Sequence, residues 1–222
     1  MDDAKWERAA GAGGILFVVM VLVSAFLPGA PPSTSDSAVK IAKYFNDHSD
    51  AIRQASFVGI LATLPIVWWA AAMYRMLDRA TGNARLGVMV VVGVAIATVS
   101  AGVSAIVYAV VAMVGVGGAG GVAGTKFFFL LGTNLNSMVA IGTALVVGSV
   151  SAGILRTGMM PKWIAWLGAL VAVLSVVGSL IGVSGNDAVM GVLFASFLTF
   201  ALWLVIVSIV MLRSPQTSAE AA

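Results

Sequence analysis

The chain contains no cysteine, one histidine and few ionisable residues, with charged side chains at 9% of its 222 positions. Each scarcity removes a class of chemistry. Without thiols there can be no disulfide framework, no zinc–thiolate or iron–sulfur site and no thiol nucleophile. With one imidazole, His48, a metal site would need several more strong ligands, and Asp47 and Asp50 beside it do not complete a set. Nor does any nucleophile stand paired with a base, as hydrolytic chemistry requires. The chain is therefore not expected to be an enzyme, and no catalytic residue, metal ligand or cofactor is expected. The net charge of +3 comes from bases that flank apolar runs rather than gather into a patch, so nucleic acid is not an expected partner.

What is abundant is hydrocarbon. Hydrophobic residues make up 60% of the chain, where soluble domains hold about half apolar and about a quarter charged residues. A soluble protein this short could not bury so much apolar surface. Lipid removes the difficulty. A spanning helix takes about 20 apolar residues to cross about 30 Å of hydrocarbon, and six stretches qualify: residues 9–27, 54–77, 86–114, 127–155, 163–184 and 191–212. The expected fold is an all-α, polytopic bundle of six transmembrane helices with one short extracytoplasmic amphipathic helix. Residues 1–213 form a single transmembrane domain on this reading, and 214–222 a disordered polar tail.

Could the first stretch be a cleaved signal peptide? Its stem mixes Asp2, Asp3 and Glu7 with Lys5 and Arg8, its apolar run is long, and Leu27-Pro28-Gly29-Ala30 is a poor cleavage site, so an uncleaved helix is expected. Basic residues set the orientation. With a cytoplasmic N-terminus that side holds eight, namely Lys5, Arg8, Arg75, Arg79, Arg85, Arg156, Lys162 and Arg213, against four outside, namely Lys40, Lys43, Arg53 and Lys126. Positive charge is retained inside, which predicts a plasma-membrane protein with both termini cytoplasmic. Trp6, Tyr74, Trp163 and Trp166 fall near the cytoplasmic ends of spans, where amphipathic rings prefer to sit.

Residues 28–53 form the one long polar connection. Pro28, Pro31 and Pro32 open it as an extended segment, and Ser33 to Ser37 offer caps before an amphipathic helix. Ile41, Tyr44, Phe45 and His48 share one side of that helix, which is expected to lie on the outer membrane face or over the bundle, with Ile41, Tyr44 and Phe45 as its contact residues. Gly115-Val116-Gly117-Gly118-Ala119-Gly120 matches a dinucleotide-binding pattern in letters only, because no βαβ unit surrounds it and no acid follows before Asp187. It reads as a glycine hinge. His48 reads as a polar-edge residue, with a pH-sensitive contact as its functional alternative.

Two features of the spans invite a role. Thr133, Asn134, Asn136 and Ser137 fall within the fourth span, where an amide must find a partner or a wet cavity. They are either interhelical hydrogen-bonding groups or a polar site for a ligand headgroup. Small residues also recur every fourth position: Gly93, Ala97, Ala101, Ala105 and Ala109 in the third span, and Gly132, Ala140, Ala144, Gly148 and Ala152, with Asn136 in the row, in the fourth. Gly178 and Gly182 form a GxxxG in the fifth. Such rows let backbones approach closely and predict a tight hairpin of the third and fourth helices. At about 44 Å each, those helices exceed the bilayer core by about 14 Å; tilt absorbs some of the excess, and otherwise Phe127, Phe128 and Phe129 are expected to project past the lipid as an apolar surface for a partner or as a lipid-handling face. No convincing internal repeat is visible. Ion-coupled transporters place acids or broken helices near the midplane; these spans carry no acids, and Pro65 is their one strong breaker.

Two stretches carry a resemblance: Glu7-Arg8-Ala9-Ala10-Gly11-Ala12-Gly13-Gly14-Ile15-Leu16 and Met160-Pro161-Lys162-Trp163-Ile164-Ala165-Trp166-Leu167-Gly168. With the Ser/Asp-rich loop and its short helix, they resemble small polytopic actinobacterial membrane proteins of the mycobacterial type, a group of undefined function. Multi-subunit lipid importers of the mammalian-cell-entry type contain small multi-pass accessory subunits, and the resemblance implies a subunit of that kind. The expected function is thus a non-enzymatic accessory or scaffold subunit. It would bind membrane lipid and other membrane subunits, docking through Gly132, Asn136, Ala140, Ala144, Gly148, Gly178 and Gly182. The alternative is a permease for a lipid or apolar solute that uses Thr133, Asn134, Asn136 and Ser137.

Overall fold

The computed structural model describes residues 3–182 and 188–213, with side chains described for 5–180 and 194–213. The tail 214–222 lies outside the described residues. Among those residues every regular element is helical: α1 (Asp3–Phe26), α2 (Ala38–Asp47), α3 (Ser49–Leu61), α4 (Thr63–Thr81), α5 (Arg85–Gly118), α6 (Gly121–Thr157), α7 (Lys162–Gly182) and α8 (Ala188–Arg213). Six runs are long and apolar enough to cross a bilayer, with α3 and α4 together making one of them. The chain is a multi-pass membrane protein. Consecutive spans pack against each other, and α1 packs on α8, so the six close into a ring in chain order.

The second span is longer than its apolar pattern suggested. Helix starts at Ser49 rather than near residue 54, because Asp50 sits favourably in the first turn and α2 passes directly into α3 at His48. The span breaks at Ala62. Pro65, buried three positions on, has no N–H to bond back into the preceding turn, and Thr63 Oγ1 caps the break by donating to the Ile60 carbonyl at 2.7 Å.

Helices α5 and α6 outrun the bilayer. Helix α6, at 37 residues, measures about 55 Å, and α5 runs from Arg85 for about 45 Å before its backbone kinks at Gly115, against about 30 Å of hydrocarbon. Register places the excess at one end. A Cβ on Gly148 would meet Ala172 of α7, so the run that takes α7 from Ala172 to its end at Gly182 takes α6 back to about Met138. Helix α1 ends at Phe26, just past Ser24, whose hydroxyl donates to the Ala55 carbonyl at 2.8 Å. Among the described residues, the loop before α2, α2 itself, the start of α3 and the distal turns of α5 and α6 stand above these levels. They form a cap at the end of the bundle opposite Asp3 and Arg213. Its tip turns on glycine: Gly115, Gly120 and Gly121 have φ of 69, 81 and 75°, a region closed to residues that carry a Cβ.

Two separate cores result. The bundle core gathers Trp69, Met73, Leu77, Val90, Val147, Val150, Ile154, Ile164, Trp203, Leu204 and their neighbours. The cap core consists of Ile41, Phe45, Ile52, Val111, Ala112, Ala119 and Phe129, with Tyr44, Tyr108, Phe128 and Leu130 packed against it.

Candidate functional site

The cap shows why α2 folds where it does. Ser37 caps the helix by accepting from Lys40 N–H, and the pairs Lys40–Asp36 and Lys43–Asp47 flank its exposed side. The Lys43 ammonium holds the Asp47 carboxyl below the usual carboxylate range. The opposite side delivers Ile41 and Phe45, both almost fully buried, to a nest of rings. Phe45 lies 5.9 Å from Tyr108 and 6.2 Å from Phe129, centroid to centroid. Tyr44 is half-buried, its hydroxyl donates to the Pro28 carbonyl at 3.3 Å, and burial raises its pKa. These three residues are taken up by the chain's own cap and hold α2 down rather than reach outward. Lys126 Nζ, donating to the Asp36 carbonyl at 2.9 Å, ties the loop to α6. His48 stacks on Tyr44 at 4.8 Å, its Nδ1 3.1 Å from the Tyr44 carbonyl.

The four polar residues of the fourth span do not converge. Thr133 points to α5: its Oγ1 lies 3.0 Å from Tyr108 Oη and donates to the Phe129 carbonyl of its own helix. Ser137 is buried with no hydrogen-bond partner for its Oγ among the described residues. Asn134 and Asn136 are exposed. Asn134 Nδ2 donates to the Leu130 carbonyl at 2.8 Å, which leaves its side-chain oxygen free to accept. The register explains their tolerance, since both asparagines stand at or beyond the level where α7 ends, near the hydrocarbon boundary.

The small residues also divide. A Cβ on Gly132 would stand 2.6 Å from Cζ of the Tyr108 ring, and Ser104 Oγ donates to the Gly132 carbonyl at 2.9 Å. The closest approach of α5 and α6 lies lower, where a Cβ on Gly142 would come within 2.6 Å of the Gly93 carbonyl and 2.7 Å of Ala97 N. Gly142 stands outside the every-fourth row, two positions from Ala140 and Ala144 and so on nearly the opposite side of the helix. Ala140 and Ala144 are half-buried, Gly148 turns towards α7, and Gly178 is buried. Gly182 ends α7, with surroundings outside the described side chains.

Sequence reasoning missed two glycine nests in the two stretches that carried the resemblance. On α1, a Cβ at Gly14 would overlap Ser208 Oγ of α8 and stand 2.7 Å from Trp69 Cδ1 of α4. On α7, a Cβ at Gly168 would overlap Ser151 Oγ of α6 and stand 2.7 Å from Trp203 Nε1 of α8. Each time a span's glycine receives the indole of the next span and a serine from a third helix. The recurrence was visible only as a buried Trp two-thirds along the second and sixth spans, with an arginine ten residues on, Arg79 and Arg213. The nests differ in one bond. Trp203 Nε1 donates to the Ile164 carbonyl at 3.0 Å, whereas Trp69 Nε1, Ser208 Oγ and Ser151 Oγ have no partner among the described residues.

On the outward side of α6, Phe127, Leu131, Asn134, Met138 and Ile141 are all exposed and follow one another at spacings of four and three. That is the period of a helix–helix seam, with one amide set among apolar neighbours. Lower on the helix the same line reaches Leu145 and Gly148, where α7 covers it.

No family model matches this chain, and no curated protein or solved structure is similar to it. The geometry has to speak alone. Among the described residues no three His, Asp or Glu side chains lie close enough to hold a metal ion.

Proposed function

We propose that the protein is a non-enzymatic accessory subunit of a larger complex in the plasma membrane, with both termini cytoplasmic and the cap outside. In this reading a partner's membrane helix lies along the open seam of α6. The observation that carries it is Asn134, an exposed amide in a heptad-spaced apolar line near the hydrocarbon boundary. An amide there gains from a second helix that supplies the missing donor, and a single polar residue in a seam fixes register. The setting in lipid uptake rests only on the resemblance of the α1 and α7 stretches to small polytopic actinobacterial membrane proteins, a group of undefined function for which accessory subunit of a lipid importer is a candidate role.

The test is Asn134→Leu. Its one described bond is to its own helix, so the thermal midpoint in detergent should hold. Co-purification of membrane partners should fall about tenfold, the size of a lost interhelical amide contact at the upper end of its range. Undiminished co-purification contradicts the proposal. Uptake of a lipid by the purified protein alone in liposomes would replace it with the permease reading. Gly148→Leu is the less useful probe, because the new side chain presses on Ala172 within the chain.

A further inference from the structure

At the end of the bundle that bears the N-terminus, a cleft of about 530 Å³ opens between the α4–α5 turn and the last turn of α6. The hydroxyls around it and the Asn83 side-chain oxygen are already engaged. Thr81 Oγ1 donates to the Leu77 carbonyl at 2.7 Å and accepts from Asn83 N–H at 3.2 Å. Asn83 Oδ1 accepts from Arg85 N–H at 2.9 Å, and Thr157 Oγ1 donates to the Gly153 carbonyl at 2.8 Å. What remains is donor capacity. Arg85 and Arg156 both line the cleft, no Asp or Glu does, and neither guanidinium has an ion pair among the described residues. Their neighbour Arg79, in contrast, is paired with Glu7.

Two guanidiniums offer planar forks that match the oxygens of a phosphate. The N-terminus of α5 lies at the same rim and adds its partial positive charge. The frame is tight: a Cβ on Gly153 would overlap Leu77 and stand 3.8 Å from Leu86 Cδ1, so α4, α5 and α6 are locked together beneath the cleft. Met89 forms its apolar edge. From Met89 the exposed face of α5 continues through Val92 to Ala95, about 15 Å of helix from Arg85 and so towards the middle of the span.

We propose that this cleft binds the phosphate of an anionic phospholipid, held by Arg85 and Arg156, with acyl chains along α5 from Met89 past Val92 and Ala95. Basic pockets between membrane helices at the interface are suited to such headgroups. The shared chemistry is a phosphate oxyanion, which inorganic phosphate also presents; the apolar line favours the lipid.

The full-length protein is placed in nanodiscs of equal phosphatidylglycerol and phosphatidylcholine, extracted gently, and its retained lipid measured by mass spectrometry. The wild type should retain the anionic lipid preferentially, by about fivefold for each guanidinium. Arg85→Gln and Arg156→Gln should each remove one such factor, and together abolish the preference. Lys162→Gln with Arg213→Gln, which removes two bases of the same end outside the cleft, should leave it intact. If the paired glutamine variant fails to fold, as judged by its thermal midpoint, the single variants decide. Excess inorganic phosphate separates the sources. Retention that persists identifies the lipid, while displacement accompanied by a raised thermal midpoint assigns the site to the free ion. No preference in the wild type, or an equal preference in the glutamine variants, overturns the proposal.

Discussion

At the centre of the cap lie Phe45, Phe129, Ile41 and Ile52, with Tyr108 against them. At the helix crossings of the bundle lie Gly11, Gly14, Gly93, Gly142 and Gly168, where a Cβ would strike a neighbouring backbone or ring, and Gly153, where it would strike Leu77. The contrast follows from the solvent on the other side. On the proposed placement the cap stands beyond the lipid, so water drives large side chains together at about 25 cal/mol per Å² of apolar surface. In the bundle the alternative solvent is itself apolar. Close backbone approach and a few hydrogen bonds must hold the helices, and small residues allow both. One chain thus uses two opposite recipes, divided at about the level where α1 and α7 end.

The comparison can be broken from either side. In the cap, Phe45→Ala removes the ring shared by Tyr44, Tyr108 and Phe129. It should cost about 3–5 kcal/mol. Hydrogen exchange should show α2 losing protection while α7 and α8 keep theirs; a uniform loss would mean the two cores are one. In the bundle the damaging change runs the other way. Gly14→Leu drives a side chain into Trp69 and Ser208 and should cost about 3 kcal/mol, read as a fall in the thermal midpoint in detergent with α2 protection intact. A small effect would show that the nest is loose.

A finer test compares the two indoles. Trp203→Phe and Trp69→Phe leave cavities of similar size in the buried core, but only the first deletes a bond, to the Ile164 carbonyl, while the second deletes an N–H with no partner among the described residues. Trp203→Phe should therefore cost about 1 kcal/mol more than Trp69→Phe. Equal costs would place an acceptor on Trp69 Nε1.

The spans were legible in the sequence because their signal is length and apolarity, and nothing else in 222 residues competes with it. The amphipathic α2 was legible as well, its faces being chemically different. The face of α5 was legible in part, since Gly93 and Ala97 of its small-residue row stand at the close approach to α6; the face of α6 was not. A helix apolar on every side carries no periodic mark of its neighbour, so Gly142 escaped the row that Gly132 and Gly148 suggested. The polar group was legible as residues but not as geometry. Thr133, Asn134, Asn136 and Ser137 sit side by side in sequence, yet successive helical positions are about 100° apart and point to different surroundings.

The absence of cysteine makes the chain a clean background for thiol labelling. Met113 on the cap and Val173 midway along α7 are similarly exposed on the bare protein, at 65% and 59%. Met113→Cys and Val173→Cys, reconstituted in liposomes with a membrane-impermeant thiol reagent on both sides, put the division between lipid and water directly to the test. The cap position should react and the α7 position should stay unmodified. Equal labelling of both would mean that no bilayer encloses the bundle.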